Sequence, residues 1–472
     1  MTNLQDIEVL NQLAMAALQE GKVPEAIALF QQVIELDSNS SRAHANLGVA
    51  LRQGARYREA LQAYDNAIRL DPNSEIAHSN RGVICNDLGM LDDAKKSYSK
   101  AIALNPQYVE PYFNRANLAV LEQDLLLAVS DFDRVIELDQ GHYQARWNRA
   151  LALLLAGNLE QGWQAFESRW DMPAFCSEEK FVQPFWRGQE PLFGKTILLH
   201  SEQGLGDALQ FCRYASMAKM MGAKKIIVAV EKPLKELMRT LEGVDQVISR
   251  GDALPHFDYH TPMMSLPLAF NTSLTTIPAR AAYLSADPVK QAYWENKLGP
   301  RTKLRVGLVW SGGFRPNQPE LWGVNQRRNI SLESLADLKM QGVDFISLQK
   351  GDIAEAELKK CLREQWHGPK IADYVHELND FSDTAALISH LDLVISVDTS
   401  SAHLAAALGK PVWLLNRYDT CWRWLLERDD SPWYPTMKIY RQPTMGDWST
   451  VIAQVKADLL MVTEPLRAPS TN

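Results

Sequence analysis

No cysteine pair in this chain has metal or disulfide spacing. The five cysteines, Cys85, Cys176, Cys212, Cys361 and Cys421, are scattered and form no Cys-x-x-Cys. That spacing excludes a zinc ribbon and a disulfide framework, and free thiols in a reducing compartment are expected. There is no apolar run of about 18 residues, so no membrane-spanning helix is expected. The N-terminus lacks the basic, apolar and small-residue succession of a secretory leader, which sets the expectation at a cytoplasmic protein. An excess of positive charge is missing too. With 49 Lys+Arg against 57 Asp+Glu the formal charge is −8, which argues against a general nucleic-acid or anionic-membrane binder. There is no Walker loop, no Gly-x-Ser-x-Gly and no metal-spaced histidine cluster. These absences count against NTPase, hydrolase and metalloenzyme chemistry, and neither a metal nor a bound cofactor is expected.

What remains is an ordinary globular composition, 46% hydrophobic and 22% charged over 472 residues, enough for two to four domains. The first third repeats. Ala26, Ala60, Ala94 and Ala128 recur every 34 residues, and Phe30, Tyr64, Tyr98, Phe132 and Phe166 keep the same interval. Gly48, Gly82, Ala116 and Ala150 are small residues at one shared position. Leu-Asp or Leu-Asn ends each unit. A unit of this length is a helix–turn–helix that buries its apolar face only by stacking on its neighbours. The pattern resembles the tetratricopeptide repeat over about residues 8–170, which implies an α-solenoid with a concave groove suited to an extended peptide or a protein.

Asn46, Asn80, Asn114 and Asn148 form one column of this array. Asn offers a donor and an acceptor together, which matches a peptide backbone. The ladder resembles the acceptor-gripping one of O-linked N-acetylglucosamine transferases; the alternative is ordinary repeat usage of Asn. His44, His78, Tyr112 and Arg146 lie two residues before the column, and Arg81, Arg115 and Arg149 one after it. They either make the groove polar and mildly basic or sit solvated at its rim. A junction follows, with Trp163, Phe166 and Trp170, then Pro173, Pro184, Trp186, Pro191 and Phe193. So many aromatics predict a packed linker rather than a tether.

From Lys195 strands alternate with helices, the pattern of parallel sheets. Strands are expected at 197–199, 225–230, 306–310, 344–348, 393–397 and 412–415, with short candidates at 247–248 and 257–260. Helices are expected at 207–221, 232–241, 332–339, 382–390, 402–408 and 449–462. The expected domains are a repeat array of about five repeats at 1–170, a linker at 171–193, a first lobe at 194–300 and a second at 301–472. Pro262–Leu268 and Thr275–Leu284 read as irregular.

Two loops carry the chemistry. Gly204-Leu205-Gly206-Asp207 follows the first strand of the body. Asp398-Thr399-Ser400-Ser401-Ala402-His403, with Ala406, Gly409 and Pro411 downstream, follows a strand of the second lobe. Together they resemble the signatures of the heptosyltransferase-like (family 9) glycosyltransferases, over roughly residues 195–465. That resemblance implies a GT-B body of two Rossmann-like lobes. It also implies a nucleotide-diphosphate sugar as co-substrate, no metal, and inversion at the anomeric carbon. Repeats plus such a body look like the tetratricopeptide-repeat glycosyltransferases, with an acceptor protein or peptide held in the repeat groove. A repeat scaffold with an inactive body, or an enzyme acting on a glycan, are the other readings.

A diphosphate leaving group without a metal needs helix N-termini, hydroxyls and cations. The candidates for the donor are Ser311, Gly312, Arg327, Arg328, Gln349, Lys350, Asp398, Thr399, Ser400, Ser401 and His403, with Arg315 a rival to the arginine pair. On the acceptor side are Gly204, Gly206 and the asparagine column. The resemblance makes Asp207 the base that takes the acceptor's proton. The alternative is that it only caps its helix, with Glu202 or His200 as the base. Trp422-Arg423-Trp424 and Trp433-Tyr434 offer either faces for a sugar and a cation for phosphate, or a packed loop.

Overall fold

The computed structural model describes residues 4–172, 181–313, 322–364 and 366–463; Pro173, Cys176 and Arg315 lie outside them. The chain forms two compact units, Met1–Leu153 and Leu154–Asn472.

The first unit is a tetratricopeptide solenoid of paired helices: Leu4–Gln19 with Val23–Leu36, Ser41–Gln53 with Tyr57–Leu70, Glu75–Asp87 with Leu91–Leu104, and Val109–Leu121 with Leu125–Leu138. Ser40 and Ser74 start their helices by accepting from Ala43 N at 3.3 Å and Ala77 N at 3.2 Å, which satisfies otherwise orphaned N–H groups. The small residues of the 34-residue period are where paired helices touch. A Cβ on Gly82 would lie 2.5 Å from the Tyr98 ring, and one on Gly48 would lie 2.7 Å from Tyr64. Gly82→Ala is therefore expected to destabilise the array by about 1–3 kcal/mol, read as a lower denaturation midpoint; an unchanged midpoint would show that the ring moves aside freely.

The arginines beside the asparagine column are half-buried and paired. Arg81 donates to Asp65 at 2.6 Å and Ser97 at 2.8 Å. Arg115 makes a bidentate pair with Asp131 at 2.7 and 2.8 Å and donates to Ser99 at 2.9 Å. Arg149 pairs with Asp133. Partners sixteen residues before and after join the second helices of successive repeats, so this column stitches the solenoid.

The second unit is an α/β body with two parallel sheets. The first contains β1 (Thr196–His200), β2 (Lys225–Val230), β3 (Gln246–Ser249) and β4 (Tyr259–Pro262), in the order β3-β2-β1-β4. The second contains β5 (Leu304–Val309), β6 (Val343–Ser347), β7 (Ile371–Asp373), β8 (Leu393–Val397), β9 (Val412–Asn416) and β10 (Met437–Arg441), in the order β10-β9-β8-β5-β6-β7. Counted from its own first strand, the second sheet runs 3-2-1-4-5-6, the doubly wound order, and the first runs 3-2-1-4. Strand order therefore reverses beside β1 in one sheet and beside β5 in the other. Ligands of open parallel sheets bind at the carboxyl edge of that reversal, here between β1 and β4 and between β5 and β8. Leu304 to Val309 are all buried, as expected of a central strand covered on both faces.

Several local readings need correction. The helix expected at 207–221 is broken into Leu205–Phe211, a 3-10 turn at Cys212–Tyr214, and Ala215–Met220. Segment 332–339 is 3-10 helical over Leu332–Leu338, and 232–241 is a 3-10 turn at Lys232–Leu234 followed by a short α-helix, Lys235–Met238. Pro262–Leu268 is ordered into a turn and the helix Leu266–Ala269. Helices Pro288–Leu298 and Asp352–Arg363 and the edge strands β7 and β10 were not foreseen.

The junction groups with the body. Trp163 is buried, donates from Nε1 to Thr272 O at 3.0 Å, and sits among Phe166, Phe211, Trp422 and Trp433. Residues 184–186 run beside β4, with Trp186 N donating to His260 O at 2.9 Å.

Candidate active site at the second crevice

Arg327 and Arg328 end the helix Trp322–Arg328. That helix carries Arg328 over the loop that leaves β5. A Cβ on Gly312 would lie 2.1 Å from Arg328 Nη2, so only glycine lets the guanidinium lie there. Arg328 Nη1 donates to Asp398 O at 3.0 Å and Nη2 to Asn325 Oδ1 at 2.5 Å. One cation thus spans the β5 and β8 loops across the crevice. Gly312 N is held by Asn329 Oδ1 at 2.8 Å.

The helix Ser400–Ala407 starts at the same crevice. Thr399 is its N-cap residue, but its hydroxyl pairs with Ser396 Oγ at 3.1 Å and does not cap. Among the described residues no side chain is recorded on the first N–H groups of that helix, and Ser400 and Ser401 stand half-buried beside them. Burial works against the Asp398 charge, but the nearby His403, Arg328 and Arg417 together outweigh it and hold its carboxyl below the usual range.

Arg417 is a residue the sequence reading missed. It follows β9 directly, and its Nε donates to Asp419 O at 2.9 Å. Asp419 Oδ2 takes Arg327 Nε at 2.9 Å. The signal was topological: β9 lies next to β8, so its loop opens on the same edge. Buried polar atoms without a partner among the described residues also cluster at this edge: Asn325 Nδ2, Asn416 Oδ1 and Gln442 Nε2.

Two expected residues are occupied. Gln349 is buried, and its amide braces the loop by accepting from Trp310 N at 3.0 Å and Ser311 N at 2.9 Å and donating to Ser311 O at 2.9 Å. Lys350 is exposed and its ammonium is tied to Leu378 O.

The loop after β1 and the helix Ser400–Ala407 are in contact. A Cβ on Gly206 would lie 2.9 Å from His403 Cδ2, so the two signature loops touch. Asp207 does not open its helix; it is the third residue and reaches back, Oδ2 accepting from Gly204 N at 2.8 Å. Its Oδ1 pairs with Arg423, whose Nε donates to Gln210 Oε1 at 2.6 Å. Glu202 is committed to Arg169, with 3.1 Å to each carboxylate oxygen. His200 pairs with His260 at 3.2 Å, and burial first, then that neighbour, pushes its pKa down to about 3. Trp422, Trp424, Trp433 and Tyr434 are buried and packed on one another, so they present no open face for a sugar.

His403 is buried, accepts or donates at Nδ1 with Tyr434 Oη at 2.8 Å, and stacks on Trp424. Burial pushes its pKa down to about 4, against the pull of Asp398. The sign of the stability effect follows. Above pH 6.5 neither folded nor unfolded chain is protonated there and the full stability is present. As pH falls toward 4 the unfolded chain takes a proton the folded one refuses, and stability drops by about 1.4 kcal/mol per pH unit. Denaturant midpoints between pH 7 and 4 should show this fall for the wild type and a shallower one for His403→Gln; parallel curves would contradict it.

In the array, Asn46, Asn80 and Asn114 are half-buried. Asn148 is engaged within the unit, donating to Asn117 Oδ1 at 2.7 Å and accepting from Gln144 Nε2 at 2.8 Å. No helix of the described residues is long and apolar enough to cross a membrane.

Comparison with known proteins falls on both units. Tetratricopeptide-repeat profiles match residues 11–75 and 76–108. The profile of glycosyltransferase family 9 (heptosyltransferase) matches residues 355–421. Protein FlbA of Caulobacter vibrioides is 31% identical over 337 residues, 66% of this chain and 54% of FlbA, so the chain spans about half the length of that curated relative. Among solved structures, YrrB, a tetratricopeptide-repeat protein with an unusual peptide-binding site, is 23% identical over 34% of this chain and 84% of its own, with a TM-score of 0.31. The Pseudomonas aeruginosa pilF protein is 19% identical over 36% of this chain and 79% of its own, with a TM-score of 0.33. The chain thus carries tetratricopeptide repeats and, across the segment that holds Asp398–His403 and Arg417, a stretch similar to family 9 glycosyltransferases.

Proposed function

We propose that this protein is a GT-B glycosyltransferase that moves a sugar from a nucleotide-diphosphate sugar to a hydroxyl of a protein held by the repeat array. The observation that carries the reading is Arg328, which bridges Gly312 and Asp398 at the reversal of the second sheet, beside an uncapped helix head. A diphosphate there meets the N–H groups of the helix, the hydroxyls of Ser400 and Ser401, and the cations Arg328, Arg327 and Arg417. These groups supply the charge compensation that a metal ion supplies elsewhere. Ser311 and Gly312 let the donor approach the backbone. Gln349 contributes by fixing that loop and Lys350 by its place at the rim. Asp398 orients Arg328 and His403 rather than meeting phosphate. Asp207, on the facing lobe, takes the proton of the attacking hydroxyl late in a concerted, inverting displacement, with Gly204 beside it on the acceptor side, while Gly206 lets this loop close on His403.

The test is turnover. A panel of sugar nucleotides incubated with the protein and EDTA should yield a nucleoside diphosphate from one donor class, with the product anomer inverted. If no donor is consumed, or if consumption requires a divalent cation, this reading is lost or loses its metal-free step. For the acceptor, Asn80→Ala with Asn114→Ala should lower labelling of a protein acceptor several-fold at unchanged donor hydrolysis; equal labelling would leave the column a purely structural one.

A further inference from the structure

Arg423 is held by one face of one helix and, through Nη1, by Cys421 Sγ at 3.2 Å. Its Nη2 reaches Asp207 Oδ1 and its Nε reaches Gln210 Oε1 at 2.6 Å; Asp207 and Gln210 stand three residues apart in helix Leu205–Phe211. The guanidinium lies 4.2 Å over the Trp422 ring. The same cation is within electrostatic reach of Asp398 and His403, and the next residue, Trp424, stacks on His403 at 5.4 Å. Arg423 therefore stands between a carboxylate of the first lobe and the uncapped helix head of the second.

Gln210 is fully buried, yet its Nε2 finds no partner among the described residues. Asp207 spends one oxygen on Gly204 N and the other on Arg423, which leaves the proposed base with no uncommitted oxygen. A diphosphate presents paired oxygens to an arginine fork as a carboxylate does, with more charge. The two compete for one cation.

We propose that Arg423 is exchanged between them: it pairs with Asp207 in the donor-free protein, then turns to the diphosphate when the donor binds and leaves Asp207 Oδ1 open to the acceptor hydroxyl. The inference rests on reading the second crevice as the diphosphate site. Its consequence is that the base becomes available only with the donor in place, which limits idle chemistry on water.

Inorganic pyrophosphate carries the diphosphate without base or sugar and serves as the probe. It is titrated calorimetrically into the full chain and into Asp207→Asn, Arg423→Met, the double variant and Arg328→Met. With its competitor neutralised, Asp207→Asn should bind about tenfold tighter than the wild type. Arg423→Met should bind about tenfold weaker, and the double variant should match it, because the influence of Asp207 runs through Arg423. Should Arg423→Met fail to fold by its melting curve, Arg423→Gln takes its place. If Asp207→Asn binds no tighter than the wild type, the exchange is overturned, while the site itself stands as long as Arg328→Met still weakens binding. If the wild type binds no pyrophosphate, or Arg328→Met binds as well as the wild type, the diphosphate site falls and the exchange falls with it.

Discussion

Arg169→Ala is expected to cost the second unit about 3–5 kcal/mol of stability. Arg169 is wholly buried and carries five polar contacts: a bidentate pair to Glu202 at 3.1 Å, Glu167 Oε1 at 2.6 Å, Ser265 Oγ at 2.6 Å and Phe166 O at 3.1 Å. Its guanidinium also lies 4.3 Å from the Trp170 ring. Burial already pushes the Glu202 carboxyl up, with Arg169 pulling against it. Alanine would leave Glu202 buried without its counter-charge, and burying an unpaired charge is among the few mechanisms that cost this much. Glu202 also lies in the loop that leads to Asp207, so the variant should disorder that loop as well. Denaturant unfolding of the body transition is the check. Arg169→Met with Glu202→Gln, which removes both charges, should recover a large part of the loss. A loss below about 1 kcal/mol for Arg169→Ala, the level of an exposed ion pair, would show that the network is only surface decoration.

Asp207→Asn is expected to lower kcat by about 10²–10⁴-fold, with donor affinity not weakened. The substitution separates two roles. The bond from Gly204 N to Oδ2, 2.8 Å long, can be kept by the asparagine carbonyl, so a residue whose whole work is to brace the helix start tolerates the change. A base does not, because the amide cannot take a proton. Because Asp207 is also the counter-charge of the buried Arg423, the variant should melt below the wild type, and kcat is compared at a temperature where both are folded. A kcat within threefold of the wild type would leave Asp207 a bracing residue and require another group to activate the hydroxyl. Glu202 and His200 are poor replacements, being tied to Arg169 and His260.

The repeats were legible because a 34-residue period records a physical contact once per turn of the solenoid. Gly82 is small because Tyr98 fills its space. The reversal points of both sheets were legible in part, as glycine loops and a Thr-Ser-Ser run at the ends of apolar strands. What escaped were pairings that no local pattern records. Arg423 meets Asp207 from 216 positions away, and Arg213 meets Trp433 O from 220. Such contacts depend on how the lobes close, which short-range periodicity does not carry. β7, at three residues, is too short to show a strand period, and β10, at the sheet edge, interrupts its apolar residues with Lys438 and ends on Arg441. The break of helix 205–220 into three pieces has no sequence signal that we can identify. Arg417 could have been found from strand adjacency, had β9 been placed beside β8.

Calorimetric titration of nucleoside diphosphates in EDTA, on the wild type and on Gly312→Val, tests the central claim most directly. Any side chain at 312 lands on the Arg328 guanidinium, with a Cβ 2.1 Å from Nη2, so valine must displace the cation that spans the crevice. The account predicts one site for one nucleoside diphosphate on the wild type and its loss in Gly312→Val at unchanged folding of the array. No binding by any nucleoside diphosphate, or equal binding by the two proteins, would contradict it.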